Sequence, residues 1–330
     1  MRSAFRYVVI LSLLATLALC FSCSKAPDQP KGLAFTIVCT TGMVADIVRQ
    51  VAGDKAVVSN LMGEGVDPHL YKPTRGDLVK MVKSDVIFYS GLLLEGRMTE
   101  AFVRAARSGK PVYAVTELLD HEKLLKPAGS AGHPDPHVWM DVSAWSQCVQ
   151  VVALSLAEFD PAHRSQYLAN AQAYRKELAK LHDYAVQTIA TIPQQQRVLI
   201  TAHDAFNYFG QAYNLKVKGI QGLSTESEAG LDDINKLIDM IVASGIKAVF
   251  VETSVSDKNI RALLEGAKSR GHELKIGGSL FSDAMGQGGT YEGSYMGMLD
   301  HNITTIVHAL GGRAPPRGLH GKLGSVTHNE

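Results

Sequence analysis

This chain of 330 residues contains few cysteines and almost no excess of charge of either sign. Its four cysteines are too few for a disulfide framework, and two of them lie in the first 23 residues. Because the formal net charge is only +1, nothing in the composition indicates a nucleic-acid partner or an acidic tail. The sequence also lacks a short-period repeat and an HExxH motif, which leaves an ordinary globular protein long enough for two domains.

The apolar segment at the N-terminus is too short to be a comfortable membrane span. Arg2 and Arg6 are followed by thirteen largely apolar residues, Tyr7 to Leu19. A charged start followed by a short apolar run is typical of a secretory signal. We therefore expect residues 1–23 to direct export of the chain to the periplasm or the cell surface.

The end of this segment resembles a bacterial lipoprotein signal, in which a cysteine is lipidated and becomes the mature N-terminus. Cys23 follows Ser22, and Leu19 lies four positions earlier. We expect Cys23 to anchor the protein to a bacterial membrane through its lipid. Cys20 is the alternative lipidation site, and cleavage without lipidation is a further alternative. The polar residues 24–32 are predicted to form a tether.

Strand-like and helix-like segments alternate through residues 33–160 and again through residues 193–310. Each half contains four strand-like segments, and such alternation predicts parallel sheets covered by helices. The expected fold is therefore α/β, with two (β/α) lobes that each contain a mostly parallel four-stranded sheet. Residues 311–330 contain two prolines and several glycines, and we expect a flexible tail there.

The segment between the two halves, residues 161–192, predicts one long helix. Asp160 is a suitable N-cap, Pro161 fits the first turn, and Pro193 ends the run. Apolar residues recur mostly at steps of three and four, at Leu168, Ala171, Tyr174, Leu178, Leu181, Ala185 and Ile189. Since about thirty residues span roughly 45 Å as a helix, we expect a rigid backbone helix that joins the two lobes.

Four side chains of metal-ligating type follow predicted strands or lie in the loops between them. They are His69, His137, His203 and Asp283. In an open α/β sheet, ligands bind beyond the carboxyl ends of the strands. Two of the four residues come from each side of the long helix, which places the expected metal in the cleft between the lobes.

The pattern around the histidines favours a tightly held ion. Imidazole is the commonest protein ligand for late first-row divalent ions, and a carboxylate lowers the net charge of the site. Asp-Pro-His occurs at both His69 and His137, where the proline restricts the backbone ahead of the ligand. Four protein ligands close a tetrahedral coordination shell, whereas a catalytic site keeps a position open for water. This arrangement favours carriage of the metal over catalysis.

Several candidate residues have a second interpretation. His203 could be an N-cap or a core histidine, and Asp283 could cap a turn. Asp204 could orient an imidazole from behind, or it could merely cap the next helix. His121 and His133 lie in an irregular loop and could assist metal capture, although a solvated surface position is the simpler interpretation.

The four motifs together resemble those of a known family. Gly-Val-Asp-Pro-His69, Asp-Pro-His137-Val-Trp, Thr-Ala-His203-Asp and Leu-Phe-Ser-Asp283-Ala-Met-Gly are similar to motifs of the TroA-like metal-binding lipoproteins. Those proteins are the substrate-binding components (cluster A-I) of zinc and manganese ABC transporters. The resemblance covers residues 36–310 and implies two lobes, one long rigid helix and a single ion held by these four residues. It also implies delivery of the ion to an ABC permease, and we expect a monomer.

The expected metal follows from the ligand atoms. Three nitrogens and one oxygen favour zinc over manganese by ligand softness and by the order of affinities. Zinc-dedicated relatives, however, often carry a long loop rich in histidine and acids before the second ligand, and residues 117–135 are short. We expect one Zn2+ per chain as transported cargo, with Mn2+ close behind. Because bound imidazoles must be neutral, affinity should fall as the pH drops through about 6.5.

Two other functions compete with metal carriage. An exported zinc hydrolase would use His69, His137 and a water, with Glu64 or Asp204 as general base, but the sequence contains no comparable hydrolase motif. A surface adhesin with a structural metal is the other alternative, and the sequence shows no long aromatic strip or repeat to support it. We therefore expect no enzymatic activity.

Overall fold

The computed structural model describes residues 34–127, 130 and 132–324. The predicted signal peptide, with Cys20 and Cys23, and the tether of residues 24–32 lie outside these residues. Within the described part of the chain, no helix is both long enough and apolar enough to cross a membrane. The described residues from Phe35 onward belong to one compact unit.

Strands and helices alternate on both sides of one long helix, as the sequence predicts. In the described residues the strands are β1 (Phe35–Cys39), β2 (Ala56–Asn60), β3 (Val86–Tyr89), β4 (Val112–Ala114), β5 (Val198–Thr201), β6 (Lys216–Gly219), β7 (Ala248–Glu252) and β8 (Lys275–Leu280). The α-helices there are α1 (Gly42–Ala52), α2 (Arg75–Lys83), α3 (Thr99–Arg107), α4 (Val142–Phe159), α5 (Arg164–Ile189), α6 (Asn207–Tyr213), α7 (Leu231–Ser244), α8 (Lys258–Ser269) and α9 (Tyr295–Ala309).

The first four strands form one parallel sheet in the order β2-β1-β3-β4. Seven of their seventeen residues are valine or isoleucine, and β-branched side chains of this kind fit a pleated surface. Because the strands are parallel, their carboxyl ends share one edge, and the loop that carries His69 leaves β2 at that edge.

The second half repeats this strand order but not the continuous sheet. Hydrogen bonds join β5 to β6 and β7 to β8 in two parallel pairs, with β5 lying beside β7. The expected single four-stranded sheet is therefore wrong in this lobe. A side chain joins the two strand pairs where β5 lies beside β7. The Glu252 carboxylate, at the end of β7, accepts a hydrogen bond at 2.8 Å from the backbone N–H of His203, which follows β5.

The predicted long helix is present as α5, which has 26 residues and spans about 39 Å. A 3-10 turn, Pro161–His163, precedes it. Asp160 does not cap the helix backbone as expected; its carboxylate accepts hydrogen bonds from His163 Nδ1 at 2.7 Å and from the Tyr167 hydroxyl at 2.6 Å. The predicted apolar face is confirmed, because six of its seven residues are buried: Ala171, Tyr174, Leu178, Leu181, Ala185 and Ile189.

Helix α5 packs on elements from both halves of the chain. Near its middle, the Tyr174 hydroxyl donates to Asp46 Oδ2 in α1 at 2.7 Å. Farther along, the Tyr184 hydroxyl lies 2.9 Å from Thr304 Oγ1 in α9. One continuous hydrophobic core contains residues from α1, α4, α5 and α9, so this helix is a shared wall of both lobes.

The chain after α9 is packed through Gly324, which corrects the expected flexible tail of residues 311–330. The Asp300 carboxylate in α9 accepts a hydrogen bond from the backbone N–H of Leu319 at 2.9 Å. Leu323 is buried with 3% of its surface exposed. These contacts satisfy polar backbone and cover apolar surface, which glycine and proline content alone does not reveal. Residues 325–330 lie outside the described part.

Candidate metal centre

The structure brings the four predicted ligand side chains together. His69 lies in the loop after β2, His137 precedes α4, His203 follows β5, and Asp283 follows β8. Their exposed fractions are 5%, 0%, 0% and 1% in that order. One nitrogen or oxygen atom from each residue lies within 4.8 Å of the others, so the four could share one ion.

Three separations between ligand atoms are close to those expected around a small tetrahedral ion, while the full set extends to at most 4.8 Å. His69 Nε2 is 3.3 Å from His137 Nε2, His137 Nε2 is 3.4 Å from Asp283 Oδ1, and His203 Nε2 is 3.2 Å from Asp283 Oδ2. With zinc bonds of about 2.0–2.1 Å, neighbouring ligands in a tetrahedron lie about 3.4 Å apart. A single ion of that size fits between these side chains.

Three buried atoms of the cluster lack a hydrogen-bond partner among the described residues. They are His203 Nε2 and both carboxylate oxygens of Asp283. A buried polar atom without a partner is costly, and native proteins rarely keep one without a reason. A cation at the centre would satisfy all three atoms at once.

The two Asp-Pro-His motifs build the same local turn. Asp67 Oδ1 accepts a hydrogen bond from the backbone N–H of His69 at 2.8 Å, and Asp135 Oδ1 accepts one from the N–H of His137 at 2.9 Å. This is an Asx turn, in which the carboxylate fixes the backbone two residues ahead while the proline between them restricts φ. The repeated tripeptide therefore sets the position of each histidine locally.

Two carboxylates orient the rings of the fully buried histidines. Asp135 Oδ1 lies 2.7 Å from His137 Nδ1, and Glu252 Oε2 lies 2.5 Å from His203 Nδ1. A partner on Nδ1 fixes the ring and leaves Nε2 free for a metal. Sequence reasoning missed both residues. Two sequence signals could have identified them. Asp135 belongs to the second Asp-Pro-His motif, and Glu252 is the charged residue that ends a buried strand.

Asp204 does not take the orienting role suggested as one of its two interpretations. Among the hydrogen bonds of the described residues, its carbonyl accepts from the Asn207 side chain at 3.4 Å, and its N–H donates to the carbonyl of Gly222 at 3.3 Å. The His203 ring is held instead by Glu252, which comes from the neighbouring strand. Asp204 lies in the wall of the entrance cavity described below.

The loop that carries Asp283 is held by residues of both halves of the chain. Trp139 Nε1, from the His-Val-Trp motif, donates to the carbonyl of Ser282 at 2.9 Å. Ser254 Oγ lies 2.9 Å from Ser282 Oγ on the other side. The carboxylate is therefore positioned by residues of both lobes, next to the imidazole of His137.

Burial and nearby charge shift the pKa values of His69 and His137 in opposite directions. For His69, burial outweighs the attraction of the Asp283 carboxylate and lowers the pKa to about 3. Burial acts in the same sense on His137, but Asp135 and Asp283 outweigh it and raise the pKa of that ring to about 9. Of these two rings, only that of His137 is protonated at neutral pH before a metal binds.

The remaining pair behaves as an internal ion pair. Burial disfavours a charged His203, yet the carboxylates of Glu252 and Asp283 hold its pKa well above the ordinary value. Burial would raise the pKa of Asp283, but the charges of His203 and His137 keep it well below the ordinary range. An incoming cation must therefore displace protons from the rings of His137 and His203.

A cavity of about 500 Å3 leads to the cluster at His69. His133 is exposed and lies in its wall, while His121 is exposed and places Nε2 3.2 Å from the carbonyl of Glu117. Neither histidine belongs to the four-residue cluster. Their simpler interpretation as surface residues agrees with these positions.

Comparisons with known proteins agree with the geometry. Residues 37–309 match the family model described as "ZnuA: Zinc-uptake complex component A periplasmic". The chain is 45% identical over 289 residues to the manganese-binding lipoprotein MntA of Bacillus subtilis (strain 168), an alignment that covers 88% of this chain and 92% of that protein. It is 32% identical over 308 residues to the metal ABC transporter substrate-binding lipoprotein SloC of Streptococcus mutans serotype c, with 92% and 97% covered.

A solved structure shows the same architecture. The periplasmic zinc-binding protein TroA from Treponema pallidum matches with a TM-score of 0.81 and 44% sequence identity. The match covers 84% of this chain and 99% of that one. The similarity therefore includes two lobes and the long helix between them.

Proposed function

The chain belongs to the ZnuA family of periplasmic zinc-uptake components, and we propose that it captures one divalent metal ion outside the cytoplasmic membrane and delivers it to an ABC permease. The observation that carries this proposal is the buried cluster of three imidazoles and one carboxylate. Four converging protein ligands complete a tetrahedral shell, whereas catalytic zinc sites keep a position for water. Such a site is suited to holding an ion that another protein later receives.

Zinc is the metal that this ligand set favours. Three imidazole nitrogens suit zinc better than manganese, and zinc stands above manganese in the general order of affinities. The relatives are described as manganese-binding in one case and zinc-binding in another, so manganese is the second candidate. Either ion would be cargo, at one ion per chain.

The N-terminal segment supports a place at the outer face of a bacterial membrane. Residues 1–23 have the pattern of a lipoprotein signal, and two of the relatives are described as lipoproteins. We infer that Cys23 carries the lipid and that the folded chain acts as a monomer beside its permease. The proposed boundaries are a lobe at 33–160, a linking helix at 161–192 and a lobe at 193–310.

Metal analysis of the purified chain tests this function. We expect one tightly held zinc per chain, manganese bound more weakly in direct competition, and no hydrolysis of ester or peptide substrates. In the native bacterium, deletion of the gene should impair growth in chelator-treated medium, and a copy with His203→Ala should fail to restore it. A purified chain that binds neither metal would contradict the proposal.

A further inference from the structure

A loop after β6 crosses the cleft beside the metal cluster. We call residues 222–230 the cleft strap. Its Thr225 Oγ1 donates a hydrogen bond to Asp67 Oδ2 at 2.5 Å. Its neighbour Glu226 accepts one from Arg97 Nε at 2.7 Å. The strap belongs to the second half of the chain and both partners belong to the first, so these two contacts tie the lobes together.

The strap forms part of the wall of a cavity that reaches the cluster. The cavity of about 500 Å3 is lined by Leu223 and Ser227 of the strap, by Leu92 and by Pro136, and it reaches His69. His69 is also the most exposed of the four candidate ligands, at 5%. An ion that enters or leaves through this cavity passes the strap.

One carboxylate connects the strap to a metal ligand. Asp67 uses Oδ1 to hold the backbone N–H of His69, and it uses Oδ2 to accept from Thr225. The contact that fastens the strap and the contact that positions the ligand therefore share a side chain. Movement of the strap would therefore act on the Asp67 side chain that positions the backbone of His69.

The opposite wall of the cavity is fixed by buried hydrogen bonds. Leu92 and Leu93 have left-handed backbone, with φ of 53° and 65°. The buried Glu95 carboxylate holds this loop by accepting from the N–H of Ser90 at 2.8 Å and from Thr40 Oγ1 at 2.6 Å. Such strained backbone persists only where its surroundings determine it. The strap, in contrast, is hydrogen-bonded to Asp67 and Arg97 of the first lobe by a partly buried contact at Thr225 and an exposed contact at Glu226.

We propose that the cleft strap is the gate of the metal site, and that Thr225 and Glu226 are positioning residues that hold it shut. In this opening the two side-chain contacts to the first lobe break, and the long helix does not change. This inference rests on the proposed function, because it assigns the path by which the captured ion enters and leaves.

Metal exchange kinetics test the gate. Zinc alone is the probe: release is measured by stopped flow into a chromophoric chelator, and capture by mixing with the metal-free chain. The variants are Glu226→Gln, Thr225→Val and the two combined. We expect the combined change to speed both capture and release about threefold to tenfold, because one hydrogen bond and one exposed ion pair are lost. The equilibrium Kd should change less than the rates do.

Two controls separate the gate from a general loss of structure. Thr225→Ser keeps the hydroxyl and should exchange zinc at the wild-type rate. Arg261→Gln breaks the Asp257–Arg261 ion pair, which lies within one helix turn of α8 and does not cross the cleft. Added salt should speed release from the wild type and leave the Glu226→Gln variant unaffected, since the ion pair is screened only where it exists.

The outcomes are distinct. Faster capture and release with a nearly constant Kd supports the gate. Unchanged rates in the combined variant overturn it, and so does faster release accompanied by an equal loss of affinity, because that result places the effect on His69 itself. If the wild type binds no zinc, the proposed function fails before the gate is tested.

Discussion

The two Asp-Pro-His motifs have the same sequence and the same turn, but their carboxylates do different work. At Asp135 the oxygen that holds the backbone of His137 also lies 2.7 Å from the ring Nδ1. At Asp67 one oxygen holds the backbone of His69, and the other accepts from Thr225 of the second lobe. Both carboxylates also accept a hydrogen bond from the second lobe, since Asn207 Nδ2 donates to Asp135 Oδ2 at 3.0 Å. The difference is that only Asp135 contacts the ring of its own histidine.

This difference separates the chemical roles of the two histidines. The pKa of His137 rises to about 9 because Asp135 and Asp283 outweigh its burial, whereas burial dominates at His69 and lowers the pKa to about 3. The same local turn therefore places both imidazoles, and the pKa of each ring depends on whether the carboxylate of its own motif also contacts the ring. At His137 protons compete with the metal for the ring, whereas His69 is neutral and can bind the metal directly.

Removal of Asp283 should have the largest effect, because the carboxylate faces both motifs, 3.7 Å from His69 Nε2 and 3.4 Å from His137 Nε2. For Asp283→Ala we expect zinc affinity to fall more than about 100-fold. Loss of a residue that only orients a ligand costs up to about that much, and Asp283 is a ligand itself. Competition with a chelator of known affinity measures it. Asp257→Ala, on an exposed surface, is the matched control, and equal affinity in both variants would show that the motifs do not converge on one ion.

Acidification should lower the apparent zinc affinity about 100-fold, because His137 is protonated before the metal binds whereas His69 is not. Metal-free His137 is protonated below about pH 9, and a bound imidazole is neutral, so each displaced proton weakens binding about tenfold per pH unit of acidification. Apparent zinc affinity should therefore fall about 100-fold from pH 8 to pH 6 for each proton displaced. This window begins higher than the value near 6.5 expected from an ordinary histidine. Calorimetry in buffers of different ionisation enthalpy counts the protons released.

The outcome that contradicts this pH prediction is an affinity that stays constant between pH 8 and pH 6. The Asp135→Asn variant sharpens it. Loss of that carboxylate should lower the pKa of His137, so the dependence of affinity on pH should become shallower in this range.

Substitution of Asp135 or Asp67 alone should lower zinc affinity by different amounts. For Asp135→Asn we expect a loss of zinc affinity of about 10- to 100-fold, since the partner of the ring Nδ1 changes. For Asp67→Asn we expect no more than about threefold, because an amide oxygen still accepts from the backbone and only the contact to Thr225 is altered. Equal losses in the two variants would mean that both carboxylates act in the same way.

The smallest effects should come from the prolines. Pro68→Ala and Pro136→Ala leave both Asx hydrogen bonds in place, so zinc affinity should change by less than about threefold. Each should lower the free energy of unfolding by about 1 kcal/mol, because the unfolded chain gains freedom. Thermal unfolding of the metal-free chain measures this change. A large loss of affinity here would show that proline, and not the carboxylate, sets the turn.

The sequence predicts much of the fold because its signals are local. Helical spacing along α5 identifies its buried face, and the ends of predicted strands locate His69, His137, His203 and Asp283. Other features depend on contacts distant in the chain. Glu252 reaches the His203 ring from 49 residues away, so no signal local to His203 could select it over the adjacent Asp204, whose two interpretations the sequence leaves open. The two strand pairs of the second lobe and the packed segment after α9 depend on tertiary contacts in the same way.

X-ray absorption spectroscopy of the zinc-loaded chain tests the central claim most directly. We predict one zinc with four light-atom ligands at about 2.0–2.2 Å, imidazole scattering from three rings, and no remaining water. The His137→Ala variant should show one imidazole fewer. A wild-type site with fewer than three imidazoles, or with a bound water in place of the carboxylate, would contradict the account of a closed carrier site.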